Sequence, residues 1–155
     1  MAEEKPEVGF YHLTSTPLER ALPKLLEKVL EQGGRAVVLA SSEDRVEALN
    51  AALWTYDDRA WLPHGSVRDG HADRQPVWLS DRDENPNGAT FLFLTDGAQS
   101  ERVADYARAF ELFDGRDPAA VEAARDRWRA YKEAGFTLTY WQQTDGGGWE
   151  RKAQG

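Results

Sequence analysis

The chain contains no cysteine. That excludes thiol nucleophiles, disulfide staples and thiolate metal sites, and it suits the cytoplasm, the expected location. No apolar run approaches the roughly 20 residues that a membrane helix requires. The first residues, MAEEKPEVGF, lack a charged-then-apolar leader, so no signal peptide is expected. Basic residues are in deficit: 19 Lys and Arg against 27 Asp and Glu give a formal net charge of −8. A broad face that grips duplex phosphates is therefore excluded, although a local basic patch is not. What the chain does hold is 41% apolar and 30% charged residues, with six Trp, five Tyr and six Phe. This is the composition of a folded globule, and disordered chains are poorer in aromatics. At 155 residues, with no repeat and no dividing linker, the sequence predicts one domain over 1–155.

Strand and helix patterns alternate along most of the chain. Val8 to Leu13 reads as a buried strand. Thr16-Pro17-Leu18-Glu19 then offers an N-cap, a proline at the first helical position and an acidic third position. Leu18, Ala21, Leu22, Leu25, Leu26, Val29 and Leu30 follow at helical spacing, and Gly33-Gly34 ends the run. Ala36 to Ala40 is apolar without alternation, as in a strand covered on both faces. Ser41 or Ser42 caps a second helix carrying Val46, Leu49 and Leu53, with Trp54 at its end. Residues 55–66 read as irregular, Pro76 to Leu79 as a short strand, and Asp81 to Gly88 as turns. Thr90 to Leu94 is a further strand, 100–107 a short helix, and Ala109 to Phe113 a strand. Asp117-Pro118 opens a helix that runs to about Ala134, and Gly135 closes it. Phe136 to Trp141 is the last expected strand. The core spans about 8–141, and 142–155 reads as a frayed, Gly-rich tail. The fold class is α/β: a single Rossmann-like domain with a mainly parallel sheet flanked by helices.

Such a fold raises the question of a nucleotide. A phosphate cradle needs glycines after the first strand, so that backbone N–H groups can approach the phosphates. Thr14-Ser15-Thr16-Pro17 stands there instead, and Pro17 has no N–H. Neither dinucleotide nor P-loop glycine patterns occur, so no nucleotide-binding loop and no cofactor are expected. His12, His64 and His71 show no metal-ligand spacing, so no metal is expected. Pairs such as Asp57-Asp58 or Asp81 and Asp83 sit in turn-like segments, and no nucleophile elbow is present. No catalytic residue is assigned.

Two segments carry information. On the helix opened by Asp117, Val121, Ala124, Trp128 and Tyr131 form an apolar stripe. Arg125, Arg129 and Lys132 form a basic stripe beside it, and Trp128 lies between the two. Guanidinium groups next to an apolar notch suit a short acidic peptide with an apolar end. The alternative is a solvated helix face held by intrahelical pairs such as Glu122–Arg125. The second segment, Ala51 to His64, gathers two Trp, a Tyr and a Pro in an irregular stretch. These are favoured interface anchors or, equally, plugs for the end of a sheet.

In order and spacing these residues resemble the chi subunit family of bacterial DNA polymerase III holoenzyme. The matching segments are Phe10 to Leu13, Ala52 to Trp54, Trp61 to His64, and Arg125 to Phe136, with Asn85-Pro86-Asn87-Gly88 also in place. They cover about residues 8–140. The resemblance implies a Rossmann-like domain with no nucleotide site and no catalytic activity of its own, acting as an accessory subunit of the clamp-loader complex in DNA replication. It implies that the domain, a monomer alone, binds the acidic C-terminal tail of single-stranded DNA-binding protein, whose last residue is Phe. Arg125, Trp128, Arg129 and Lys132 map to that site. A second face implied to bind the psi subunit maps to Trp54, Trp61, Leu62, Pro63 and His64. Contact with DNA would be weak or indirect. Two positions depart from the family pattern: Trp128 replaces a usual Tyr, and Val121 stands where a basic residue is usual. Two other readings are a nucleotide-dependent enzyme on the same sheet and a repair-linked adaptor that takes a helicase on the aromatic face.

Overall fold

The computed structural model describes residues 6–57 and 62–154. The chain runs β1 (Glu7–Leu13), α1 (Leu18–Glu31), β2 (Ala36–Leu39), α2 (Glu43–Thr55), β3 (Gly65–Ser66), β4 (Val77–Ser80), β5 (Phe91–Thr95), β6 (Arg108–Asp114), α3 (Pro118–Glu133), β7 (Thr137–Gln143) and β8 (Trp149–Gln154). Among the described residues these strands form one sheet in the order β3-β4-β2-β5-β6-β1-β7-β8. All neighbours are parallel except β7 and β8, which pair antiparallel. The structure is thus the α/β, mainly parallel architecture that the sequence predicts.

Strand side chains alternate between faces, and here each face meets a different cover. Tyr11 and Leu13 of β1, with Phe110 and Leu112 of β6, pack on one side with the buried rows of α1 and α2. Val8 and Phe10, with Ala109 and Phe113, pack on the other side with Ala124 of α3. Because both faces are covered, β2 is buried at all four positions, hence its unbroken apolar run. Caps fix the helix starts. Ser42 Oγ accepts from the Arg45 N–H at 3.2 Å, and the Asp117 carboxylate accepts from the Ala119 N–H at 3.0 Å. Gly135, at φ 91°, ends α3 in a conformation that disfavours a side chain.

Four local expectations are corrected. Pro17, not Thr16, occupies the N-cap of α1, because the Thr16 hydroxyl is bound to Gln143. Residues 100–107 hold only a 3-10 turn, Val103–Asp105. The irregular stretch 55–66 ends in a two-residue edge strand, β3. The expected frayed tail is a hairpin: β7 continues to Gln143 and β8 pairs back along it. Aromatic packing holds the hairpin down. Trp149 meets Tyr11 edge-on at 5.0 Å, and Trp141 stacks on Tyr11 at 6.0 Å.

One buried charge pair fixes α3 on the sheet. Glu111 of β6 is 1% exposed and accepts from Arg127 Nε at 2.8 Å. The Tyr131 hydroxyl donates to the same carboxylate oxygen at 3.4 Å. Burial pushes the Glu111 carboxyl up to about 7, against the opposing pull of Arg127. A folded-state value above the unfolded one means that the native state holds the proton more tightly. This contribution to stability is therefore present below about pH 4.5 and is lost as pH rises toward 7. Glu111→Gln does not titrate. The stability of the wild type minus that of Glu111→Gln should fall by about 3 kcal/mol between pH 4.5 and 7.5. Urea unfolding at several pH values measures it, and a constant difference would show that Glu111 is already ionised throughout.

Candidate functional site

One flank of α3 and the sheet beside it form a pocket of about 510 Å³. Its inner wall comes from Phe10 and His12 of β1, Phe113 of β6 and Tyr140 of β7, and its helix wall from Val121, Ala124 and Trp128. Arg125, Arg129 and Lys152 complete the lining. The aromatic groups hold one another at fixed angles. Phe10 meets Trp128 edge-on with centroids 5.2 Å apart, Trp128 meets Tyr140 at 6.3 Å, and His12 meets Phe113 at 5.0 Å. Phe10 and Ala124 are fully buried, Trp128 and Tyr140 are half-buried, and Arg125 and Arg129 are exposed. An apolar floor thus lies below cationic side chains.

His12 is held from two sides. Its Nδ1 bonds the Tyr140 hydroxyl. Its other ring edge lies where a Cβ on residue 115 would come within 1.9 Å, so that position requires Gly115. Burial, with the charge of Arg125 also opposing protonation, holds the imidazole below its ordinary value. The shift favours the neutral ring, and the fixed positive charges of the pocket are those of Arg125, Arg129 and Lys152. Arg129 pairs with Asp126 at 3.2 Å, but both side chains are about 70% exposed. Such a pair is worth at most about 1 kcal/mol and exchanges readily for another carboxylate.

Of the residues expected from the α3 stripes, Arg125, Trp128 and Arg129 come together at this pocket, whereas Lys132 is exposed on α3 and outside the lining. Phe10, His12, Phe113, Tyr140 and Lys152 were not expected in the site, because they lie on four separate strands, β1, β6, β7 and β8. Arg127, next in the chain to the site residues, turns inward to Glu111 instead.

The second candidate face divides. Trp54 is 56% exposed, its ring 4.5 Å from that of His64. Pro63 is half-buried. Leu62 and His64 are interior, a correction to their expected contact role: His64 Nδ1 lies 2.6 Å from the Leu62 carbonyl and Nε2 3.3 Å from that of Asn50. They shape this edge from within. Trp61 lies outside the described residues.

At the ends of β1, β5 and β6, where nucleotides sit on related sheets, side chains of the chain itself engage one another. Arg45 bridges Glu19 at 2.7 Å and Asp96 at 2.6 Å across a cleft of about 620 Å³. The β1–α1 loop does present converging backbone donors, from the three residues that precede Pro17. The N–H groups of Thr14, Ser15 and Thr16 point at Gln143 Oε1, at 3.2, 2.9 and 3.0 Å. Gln143 Nε2 in turn donates to Thr16 Oγ1 at 2.6 Å. The side-chain amide occupies the place of an anion in such a nest. Among the described residues no three His, Asp or Glu side chains cluster to hold a metal, and no helix is long and apolar enough to cross a membrane.

Fold and pocket define a Rossmann-like α/β domain with an aromatic, basic-rimmed pocket on one flank of its sheet. A family model described as DNA polymerase III chi subunit, HolC, matches residues 6–139, and the chain belongs to that family. It is 32% identical over 108 residues to a probable DNA polymerase III subunit chi of Rickettsia prowazekii, covering 68% of this chain and 66% of that protein. DNA polymerase III subunit chi of Pseudomonas aeruginosa is 29% identical over 134 residues, 84% of this chain and 92% of the relative. The Escherichia coli protein of the same name is 25% identical over 127 residues, 78% and 82% respectively.

Gln143→Ala would strand three inward-facing N–H groups and should cost about 2–4 kcal/mol of stability. Gln143→Glu, which keeps the acceptor, should cost less. Urea denaturation of the three proteins measures the order, and equal loss in both variants would show that packing, not the donor nest, is what Gln143 serves.

Proposed function

We propose that this chi-family chain is a non-catalytic accessory subunit of the polymerase III clamp-loader complex. It links that complex to single-stranded DNA-binding protein by holding the acidic C-terminal tail of that protein. The observation that carries the reading is the pocket itself: an aromatic floor of Phe10, Phe113, Trp128 and Tyr140 beneath the Arg125 and Arg129 guanidiniums. A terminal Phe ring fits the floor, while its carboxylate and the preceding acidic side chains meet the arginines. Cationic side chains gathered at one place on a chain of net charge −8 select an acidic peptide over nucleic acid. The subunit works in the cytoplasm, is a monomer alone and reaches DNA mainly through its partner.

Titration of a labelled acidic peptide ending in Phe, followed by fluorescence anisotropy, tests this directly. Arg129→Ala should weaken binding about 3- to 30-fold at low salt. Salt should weaken the wild type more than the variant, since the variant has one ionic contact fewer to screen. Equal affinities for wild type, Arg125→Ala and Arg129→Ala, each folded by circular dichroism, would place the peptide elsewhere.

The second face is proposed to bind the psi subunit or an equivalent clamp-loader component through Trp54, Pro63 and Trp61, supported by the 56% exposure of Trp54. Trp54→Ala should weaken capture of that partner at least tenfold while peptide affinity stays at the wild-type value. Surface plasmon resonance with each partner separates the two. Parallel loss of both would mean that the faces are not independent.

A further inference from the structure

From Tyr140 on, the C-terminal hairpin lies beyond residue 139, where the family match ends. Its turn, from Thr144 to Gly148, is closed by the Thr144 N–H on the Gly148 carbonyl at 2.8 Å. In the ladder, Gln142 faces Glu150, Trp141 faces Arg151, and Tyr140 faces Ala153. Lys152 has no partner across the strands: it is the extra residue of a β-bulge. Bulges re-aim side chains, and here the effect is visible. Arg151 lies over the Trp141 ring at 5.9 Å, on the α1 side of the sheet. Lys152 lines the pocket on the α3 side, together with Tyr140, Arg125 and Arg129. Its ammonium is 3.4 Å from the Glu150 carboxylate, and both side chains are largely exposed.

We infer that Lys152 supplies a cation to the peptide pocket from the strand side, facing the arginines of α3. An acidic peptide would then be gripped between two elements rather than laid along one helix. Glu150 is its internal competitor, occupying the ammonium in the free protein and giving way to a peptide carboxylate. This rests on the acidic-tail reading proposed above.

The same labelled peptide tests it. Lys152→Gln should weaken binding about 2- to 10-fold at low salt, with the loss shrinking toward none near 0.5 M salt. Glu150→Gln should do the opposite and tighten binding about twofold, since Lys152 is freed. Lys24→Gln makes the same charge change on exposed α1, on the far face of the sheet, and should change affinity less than Lys152→Gln. If Arg129→Ala weakens binding while Lys152→Gln matches the wild type or merely equals Lys24→Gln, the inference is overturned and the tail site stands. If the wild type shows no saturable binding, or Arg129→Ala has no effect, the tail reading itself fails and this inference with it.

Discussion

The Glu111 carboxylate determines where α3 can lie. A carboxylate that is 1% exposed is costly to bury, and α3 answers with Arg127 and the Tyr131 hydroxyl, one turn apart, both on the same oxygen. That contact sets the rotation of the helix. With Arg127 and Tyr131 turned to the sheet, Trp128 must lie over Phe10, and Arg125 and Arg129 must stand at the edge of the floor. Apolar packing alone would hold α3 loosely, since Ala124 is its one fully buried residue among those described. A slip of one residue would move the arginines off the pocket and leave both buried charges unpaired. The pair therefore specifies position more than it adds stability.

The strand ends show the opposite use of side chains. A Rossmann-like sheet offers a crevice at the carboxyl ends of its strands, and its first loop offers converging N–H groups. Here Gln143 satisfies those donors, and Arg45 ties α2 to Glu19 and Asp96 across the neighbouring cleft. The groups that would be free for a phosphate on a related sheet are spent on internal contacts. On the flank, α3, β1 and β7 leave an aromatic hollow with a cationic rim. Fold alone does not decide where a site lies; the side chains that line each hollow, and whether they already hold partners, do.

Local chemistry was legible in the sequence, and long-range chemistry was not. The apolar runs at Ala36 to Ala40 and Thr90 to Leu94, the Ser42 and Asp117 caps, and the stop at Gly135 are each written within a few residues. So are the stripes of α3, because helix geometry is the same wherever the helix lies. The strand side of the pocket could not be read in that way. Phe10, Phe113 and Tyr140 meet only because β1 sits between β6 and β7, a matter of strand order. Polarity misled at the C-terminus: Thr-Asp-Gly-Gly-Gly reads as a loose end, yet Trp149 and Trp141 pin the hairpin to Tyr11. At Leu62 and His64 the segment's pattern allowed an interface or a plug for the sheet end, the contact role came from the resemblance, and both side chains are interior. The His64 ring sits inside with a backbone carbonyl near each nitrogen, and its N–H donates to one of them.

Placing the rim charges on different elements has a consequence for specificity. Arg125 and Arg129 are one helical turn apart on a rigid axis, while Lys152 stands on a strand that a bulge turns toward them. Each charge is exposed, so each contributes little and is screened within about 8 Å at physiological salt. On the proposed tail reading, selectivity then comes from geometry: a ligand has to satisfy the cations on both sides while placing an apolar group on the floor between them. A polyanion without that apolar end gains only the weak ionic contacts, against the repulsion of a chain carrying −8 overall. An apolar peptide without the acids fills the floor and gains nothing at the rim. Only the combination, acidic residues ending in one large ring, gains both, and because no single contact is strong, such a complex would form and release quickly.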